Sequence, residues 1–340
     1  MKSNKSLNKL VFIGSGNFLN QFYEIAKKLK IELYLISSPD QSKKSQVRKE
    51  IKKIIVKNIN EKNLEKFFLS NNFDSKNTIF ISYSSRYLFK TKTINKLFYN
   101  NLYNIHCSRL PHDKGGGGLS WRIMRNDRIG NLCLHKIQDE KIDNGKIYKF
   151  ENYVINKTFT TPKEIKEDIE RRLMDFLKEF IIDLKNNKKL DIKNIPNYLG
   201  SYFPRLNTPV SSWIDWKDSS FDIFNFINAF DDPFTGAQSW ISSKKITKIK
   251  IKKVQLSSSE FNSNSLTKGM IYRHDNKWIN VSLDNQFSLI IEDVRDFKNN
   301  SVLNLLNEGD QFYSKNITLN NRNSQRFTYN SEGLKKNNIC

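Results

Sequence analysis

An alternation of strand and helix patterns in the first forty residues constrains the fold most strongly. Residues 9–16 read KLVFIGSG, an apolar run ending in a glycine turn, which is typical of a buried strand. Residues 17–30 follow with apolar side chains at helical spacing, and residues 31–40 give a second apolar run that ends in a Ser-Pro-Asp turn. Strand, helix and strand in this order predict a βαβ unit and a parallel, Rossmann-like α/β sheet.

Further patterns extend this sheet and then change character. We predict strands at residues 77–84, 102–108 and 131–138, and a long helix over about 162–186. Residues 187–200 are polar and carry a proline and a glycine, as a linker does. We therefore expect a first domain over residues 1–196 and a second over residues 197–340.

The expected second domain is a small β-rich, barrel-like unit. It carries a short helix starting near Asp218 and a loosely ordered tail after about residue 314. Its strand-like segments share short alternating apolar patterns, and they begin at Ile246, Gly269, Lys277 and Phe287.

The chain is strongly basic, with 57 Lys and Arg against 35 Asp and Glu and a net charge of +22. The basic residues are spread along the chain without a single block or a nucleic-acid motif, which favours biased composition over a nucleic-acid partner. Cys107, Cys133 and Cys340 have neither metal-ligand nor disulfide-framework spacing, so no metal is expected. The N-terminal apolar run is too short for a signal peptide, and no stretch reaches the roughly 18 apolar residues of a membrane span. These features predict a cytoplasmic location without membrane association.

The glycine turn after the first strand, IGSGNFL, resembles a dinucleotide-binding fingerprint only weakly. Leu19 stands where close helix packing needs a small residue, and the acidic candidate Asp40 follows a proline in a turn. The sequence therefore favours a tight turn that needs glycine backbone freedom.

Chemistry is indicated at the end of the predicted strand at residues 102–108. Asn104 and His106 are two residues apart, so their side chains face the same side of a strand. Asp143, followed by Gly145, comes after the predicted strand at residues 131–138, so we expect it at a strand end adjacent to that of Asn104 and His106. An amide that can stabilise an oxyanion, a histidine that can move protons and a carboxylate that can orient it suit acyl transfer.

The stretch NIHCSRLPHDKGGGGLSW with the later DNG is similar to the signature of the formyltransferase family. That family includes methionyl-tRNA formyltransferase, glycinamide ribonucleotide transformylase and the sugar N-formyltransferases. The matching positions follow the pattern Asn-x-His, Ser, Leu-Pro, Gly, Trp and Asp-x-Gly, and they are Asn104, His106, Ser108, Leu110, Pro111, Gly115, Trp121, Asp143 and Gly145. SYFPRL, WIDW and DDPFTGAQSW resemble the start of the second domain of two-domain members.

The resemblance implies transfer of a formyl group from N10-formyltetrahydrofolate to an amine, with Asn104, His106 and Asp143 as the catalytic residues. The segment ISYSSRYLF resembles the part of the family fold that lies against the folate. It implies a folate site that includes Arg86, Tyr87, Leu88 and Asp139.

The run Gly115 to Gly118 stands out in a chain with only 13 glycines. Glycine allows close backbone approach to a ligand, so we expect the run to shape the acceptor site; a flexible surface loop is the alternative. The expected acceptor-binding residues are Arg109, Lys114, Gly116, Gly117 and Trp121. Arg109 stands where the family has leucine, and Asn228 stands where a second-domain arginine is common.

Three functions remain open for a chain of this kind. A nucleotide-linked amino sugar is favoured as acceptor, because Arg109 or Lys114 could pair with its diphosphate. Methionyl-tRNA formyltransferase is the first alternative, favoured by the charge but not by the short basic segment after Pro39. An inactive folate- or sugar-binding module is the second, and a homodimer is left open. Cys107 is expected to pack rather than react, and His135 is interpreted as an ordinary strand residue.

Overall fold

The first part of the chain forms an open sheet of seven strands. The computed structural model describes residues 7–60, 62–194, 200–330 and 333–338. The strands of this part, together with a two-residue strand in a loop, are β1 (Lys9–Gly14), β2 (Glu32–Ser37), β3 (Lys52–Ile55), β4 (Thr78–Tyr83), β5 (Leu102–His106), β6 (Asp113–Lys114), β7 (Ile129–Lys136) and β8 (Ile147–Val154). The order across the sheet is β3-β2-β1-β4-β5-β7-β8, which confirms the predicted Rossmann-like α/β domain.

The sheet is parallel only over its first five strands. β7 pairs antiparallel with β5, and β8 pairs antiparallel with β7. The sequence expectation of adjacent strand ends at residues 102–108 and 131–138 was therefore wrong in direction. The connection from β5 to β7 holds only one helix of seven residues and stays at the carboxyl end of β5, so β7 returns without a crossover.

Helices cover both faces of this sheet. They are α1 (Leu19–Lys28), α2 (Pro39–Lys44), α3 (Lys62–Ser70), α4 (Thr91–Leu97), α5 (Gly118–Met124) and α6 (Pro162–Lys185). α6 begins with a capping box, because the Thr161 hydroxyl accepts from the Glu164 amide and the Glu164 carboxylate accepts from the Thr161 amide. Its buried face, which includes Ile169 and Phe176, closes the core on the side of α1.

The sequence did not predict α3, α4 and β3. β3 reads KKII and exposes three of its four side chains, so it lacks the apolar pattern of an inner strand. It forms the edge of the sheet, where side-chain patterning is weakest.

The second part forms the predicted small barrel. Its regular elements in chain order are β9 (Ser201–Tyr202), α7 (Thr208–Ser211), α8 (Ser220–Ala229), β10 (Ala237–Ser242), β11 (Lys248–Ser258), β12 (Ile271–His274), β13 (Ile279–Ser282), β14 (Phe287–Arg295), a 3-10 helix (Leu303–Leu305) and β15 (Gln311–Tyr313). The sheet order is β12-β13-β14-β11-β10-β15, and an antiparallel bridge between Met270 and Gln311 links its two edges. α8 begins two residues after the predicted start at Asp218.

The tail differs from expectation. After residue 314 the chain forms α9 (Asn316–Ser324) and a hairpin of β16 (Gln325–Asn330) and β17 (Gly333–Asn338), instead of a loosely ordered segment. The expected domain boundary at residues 196 and 197 lies outside the described residues. Among those that are described, no helix is both long and apolar enough to cross a membrane.

The two parts pack through α5 and α8. The Ser120 hydroxyl donates to the Ala229 carbonyl at 2.8 Å, and the Lys163 amide donates to the Asp232 carbonyl at 2.8 Å. Asn228, which stands where the family often has arginine, is buried and donates to Phe224 at 3.1 Å within its own helix. The start of the second part therefore lies beside the carboxyl end of β5.

Candidate active site

A cavity of about 450 Å³ opens at the carboxyl ends of β4 and β5. Its walls come from residues 82–89, the strand β5, the glycine run and residues 135–145 of the first part. Tyr202, Arg205, Leu206, Pro233 and Phe234 of the second part complete it. In open α/β sheets this end of the strands is the ordinary place for a ligand.

Asn104 and His106 lie on the same face of β5 and both line the cavity, as their spacing predicts. His106 is buried, with Nε2 2.6 Å from the Asp113 carbonyl and Nδ1 3.6 Å from Asp143 Oδ2. Both ring nitrogens thus face oxygen acceptors, and a protonated ring donates toward both. The histidine is therefore held in one orientation at the cavity wall.

Asp143 is the centre of this group. It lies in the loop after β7 with φ of +51°, a left-handed conformation that aspartate tolerates better than most residues. Its Oδ2 accepts from the Gly115 amide at 2.8 Å, and its Oδ1 lies 3.3 Å from His135 Nε2. Burial alone raises the pKa of the Asp143 carboxyl, but His106, His135 and the Gly115 amide together lower it well below its usual range. The group is therefore a carboxylate at neutral pH.

The closeness of Asp143 to His106 was predicted for the wrong geometric reason. β7 runs away from the carboxyl end of β5, with Lys136 opposite Tyr103. The loop that follows turns back along β5 and carries Asp143 to His106. Gly145 permits this return, since a Cβ there would lie 1.5 Å from the Lys136 carbonyl oxygen.

His135 is a site residue that sequence reasoning missed. It is buried directly opposite Asn104 in the β5–β7 register, and its Nε2 lies 3.1 Å from the Asn104 amide nitrogen. A ring protonated at Nε2 donates to Asp143, whereas a ring protonated at Nδ1 accepts from Asn104. The sequence carried no clear signal for this contact, because it depends on the antiparallel β5–β7 register, which was not predicted.

The four residues expected to bind the cofactor, Arg86, Tyr87, Leu88 and Asp139, all line the cavity. Arg86 pairs with the exposed Asp40 at 3.2 Å. The hydroxyl of buried Tyr87 donates to the Val56 carbonyl, so this side chain is fixed from behind.

The five residues expected to bind the acceptor divide into two groups. Gly116 and Gly117 line the cavity, but Arg109, Lys114 and Trp121 are absent from its wall. Arg109 is held by Asp127 at 2.9 Å and by Asp113 at 3.7 Å. Trp121 donates to the Pro204 carbonyl at 2.8 Å, and Lys114 belongs to β6. Their expected contact with an anionic acceptor therefore receives no support from the geometry.

The glycine run is explained by contacts within the chain. Gly115 has φ of +107°, and a Cβ there would lie 2.1 Å from the Phe203 carbonyl oxygen. A Cβ on Gly117 would lie 2.8 Å from the Pro204 oxygen, and one on Gly118 would lie 2.6 Å from the Ser108 hydroxyl. The close approach that glycine permits is thus to residues 203–204 and to Ser108.

Cys107 lines the cavity but is unsuited to attack. Burial raises the pKa of its thiol to about 12, so the reactive thiolate is scarce at neutral pH. Within the described part of the chain, no group of three or more His, Cys, Asp or Glu side chains could hold a metal ion.

Comparison with known proteins agrees with this geometry. Residues 208–306 match the family model described as "Formyl transferase, C-terminal domain". The methionyl-tRNA formyltransferase of Coprothermobacter proteolyticus is 30% identical over 271 residues, which are 74% of this chain and 82% of that protein. The bifunctional polymyxin resistance protein ArnA of Wigglesworthia glossinidia brevipalpis is 29% identical over 144 residues, 42% of this chain but only 21% of that protein.

A solved structure shows the same fold. The N-formyltransferase from Helicobacter canadensis, in complex with folinic acid and dTDP-3-aminofucose, superimposes with a TM-score of 0.58 at 21% identity. The match covers 84% of this chain and 99% of that chain. The open sheet, the Asn-His-Asp group at its carboxyl end and the barrel that follows define an enzyme that transfers formyl groups. The chain belongs to the formyltransferase family.

Proposed function

We propose that this enzyme moves a formyl group from N10-formyltetrahydrofolate to the amine of a nucleotide-linked amino sugar. The observation that carries the proposal is the group of Asn104, His106 and Asp143 on one wall of a cavity of about 450 Å³. The fold likeness to a protein crystallised with folinic acid and an amino sugar linked to dTDP supports the two substrates.

Asn104 and His106 divide the chemistry. The neutral amine attacks the formyl carbon, and a C–N bond forms while the formyl oxygen takes up negative charge. The Asn104 amide has two hydrogens, and we assign one to that oxygen. Collapse then breaks the bond from the formyl carbon to N10 of the folate.

We assign the proton transfers of this reaction to His106. The amine nitrogen loses one proton, and N10 of the folate gains one as it leaves. We assign this transfer to His106 as general base and acid, and its Nε2 exchanges the Asp113 carbonyl for the substrate in that step. The buried carboxylate of Asp143, 3.6 Å from its Nδ1, stabilises the ring when it is charged.

The proposed folate site lies along residues 86–88 and Asp139. Leu88 and the fixed ring of Tyr87 offer apolar surface for the pterin, whereas Arg86 offers a donor. We keep residues 1–196 and 197–340 as the proposed domains, with the second contributing Tyr202, Arg205 and Phe234 to the same cavity.

Methionyl-tRNA formylation is the second candidate. The 30% identity to a methionyl-tRNA formyltransferase and the charge of +22 favour it. The only helix between β2 and β3 is the six-residue α2, so the structure describes no long basic insertion there that could clamp a nucleic acid. We therefore rank it below the sugar acceptor.

A direct assay separates the candidates. The purified protein is given N10-formyltetrahydrofolate with a panel of nucleotide-linked amino sugars or with charged initiator tRNA, and release of tetrahydrofolate is followed. We expect turnover with at least one sugar and none above background with tRNA at physiological salt. Formylation of tRNA alone would establish the second candidate, and folate binding without turnover on either acceptor would indicate an inactive module.

A further inference from the structure

Residues 200–206, here termed the strap, cross the loop that holds the glycine run. β9 in the strap pairs with β6, and the Phe203 amide donates to the Lys114 carbonyl at 2.8 Å. Trp121 donates to the Pro204 carbonyl, and Arg205 Nη1 donates to the Gly116 carbonyl at 2.9 Å. The strap is therefore fixed along its length to the loop that follows the catalytic strand.

The glycines of both segments serve this contact. Gly200 has φ of +107°, and a Cβ there would lie 1.7 Å from the Pro111 carbonyl oxygen. Gly115 and Gly117 make the reciprocal approaches to Phe203 and Pro204. The backbone of the strap therefore packs directly against the backbone of the glycine loop, and this contact fixes the position of the strap relative to the cavity.

Two side chains of the strap face the cavity with chemistry that the catalytic group does not use. Tyr202 lines the cavity and is 49% exposed, and Arg205 lines it three residues later. The Gly116 carbonyl takes one of the five N–H donors of Arg205, and among the described residues no carboxylate forms an ion pair with it. Of the other cations of the wall, Arg86 and Lys166 are paired with the carboxylates of Asp40 and Glu170, whereas Lys136 and Lys141 lie on the segment that carries Asp139 of the proposed folate site.

We propose that the strap is the nucleotide-binding element of the acceptor site, an inference that rests on the proposed sugar acceptor. Arg205 pairs with the diphosphate, because a guanidinium matches phosphate oxygens with parallel donors. Tyr202 stacks on the base.

The spacing on the strap suits such a ligand. Tyr202 and Arg205 are three residues apart, and three residues of chain span at most about 10 Å. That separation suits a base and a diphosphate joined by one sugar. The strap thereby takes the role that the sequence had given to Arg109 and Lys114.

The test measures equilibrium binding of dTDP and dTMP to the full chain, with UDP, GDP and CDP as further probes. Arg205→Gln should weaken dTDP binding at least tenfold and dTMP binding clearly less, because the second phosphate loses its partner. Arg205→Lys should recover part of the loss. A purely structural role at Gly116 would weaken both nucleotides equally, and that result would overturn the inference.

Tyr202 is tested by a matched pair of variants. Tyr202→Leu should weaken dTDP and dTMP about equally, whereas Tyr202→Phe should bind both as the parent does. Arg273→Gln is the control, since Arg273 is an exposed cation on β12 that does not line the cavity, and nucleotide binding should be unchanged.

The outcomes separate the inference from the function on which it rests. A parent protein that binds a nucleoside diphosphate, with Arg205→Gln and Tyr202→Leu binding it equally well, overturns the strap assignment alone. A parent that binds none of the four and formylates no sugar overturns the proposed function as well.

Discussion

The two walls of the cavity are built in different ways. The chemical wall consists of Asn104, His106, His135 and Asp143, which are set by strands β5 and β7 and the loop that closes on them. His106, His135 and Asp143 are 8%, 2% and 9% exposed. The strap wall includes Tyr202, which ends the two-residue strand β9 and is 49% exposed. Chemistry needs fixed groups shielded from water, whereas recognition can lie on an exposed segment that is anchored mainly by its backbone.

The largest effect is expected on the chemical wall. Asn104→Ala should lower kcat about 10²–10³-fold, since an oxyanion donor is lost, while dTDP affinity stays unchanged. His106→Ala should lower kcat by about 10²–10⁴-fold as general acid–base help is lost. Steady-state kinetics and nucleotide binding are measured side by side.

His112→Ala is the matched control for these variants. His112 is an exposed histidine six residues away that does not line the cavity, so kcat should be retained. If both Asn104→Ala and His106→Ala turned over substrate at nearly the parent rate, the catalytic residues would have to lie elsewhere.

His135 should matter less than the residues that touch the formyl group. His135→Ala removes a partner 3.3 Å from the Asp143 carboxylate, and a hydrogen bond to a charged group contributes about 1.5–3 kcal/mol. We expect kcat to fall by about tenfold to a hundredfold with little change in KM. A loss as large as that of His106→Ala would give His135 a direct role in proton transfer.

Gly115→Ala should impair the chemical wall and the strap wall together. The added Cβ would lie 2.1 Å from the Phe203 carbonyl oxygen at a left-handed φ, so the strap and the amide that binds Asp143 both shift. Strain of this kind costs about 1–3 kcal/mol. We expect a lower free energy of unfolding together with a raised KM for the sugar and a lowered kcat.

Gly309→Ala controls for the backbone conformation in this comparison. Gly309 has φ of +88° but meets no atom within 4 Å, so the variant should lose stability without changing either kinetic constant. An identical kinetic profile for the two alanine variants would mean that the strap contact is irrelevant to activity.

The smallest effect is a pH dependence of stability. The folded pKa of Asp143 lies below its unfolded value, so its contribution is complete above about pH 4 and is lost as pH falls further. Below pH 4 the free energy of unfolding should therefore fall more steeply for the parent than for Asp143→Asn. Parallel curves for the two proteins in urea titrations would show that the carboxylate is not stabilised in the fold.

Sequence patterns predicted the chemical wall better than the strap wall. Asn104 and His106 follow from strand periodicity, which is local, and Asp143 was included because it follows the next predicted strand, although β7 runs opposite to expectation. Arg109 was predicted as an acceptor contact although charge near the motif says nothing about the carboxylates that fold onto it. Asp127 and Asp113 form ion pairs with Arg109, and those pairs depend on the tertiary structure.

The glycine run shows the same limit. Its residues were expected to approach a ligand; they line the cavity, and Gly115 and Gly117 also approach residues 203 and 204, some ninety residues later in the chain. A glycine predicts that the backbone can come close to another group, but which group it contacts depends on tertiary packing. The barrel strands were predicted because their alternation is local, whereas β3 at the sheet edge has no strong pattern.

The hydrogen bond from the Gly115 amide to Asp143 also affects how relatives of this chain can be compared. A homologue could keep Asn104, His106 and Asp143 and still be inactive if it carried a side chain at position 115 or 200. Conversely, a homologue with a different strap could keep the chemistry and accept another amine. Alignments of this family therefore separate catalysis from acceptor choice only when the two glycines and the strap are scored together with the motif.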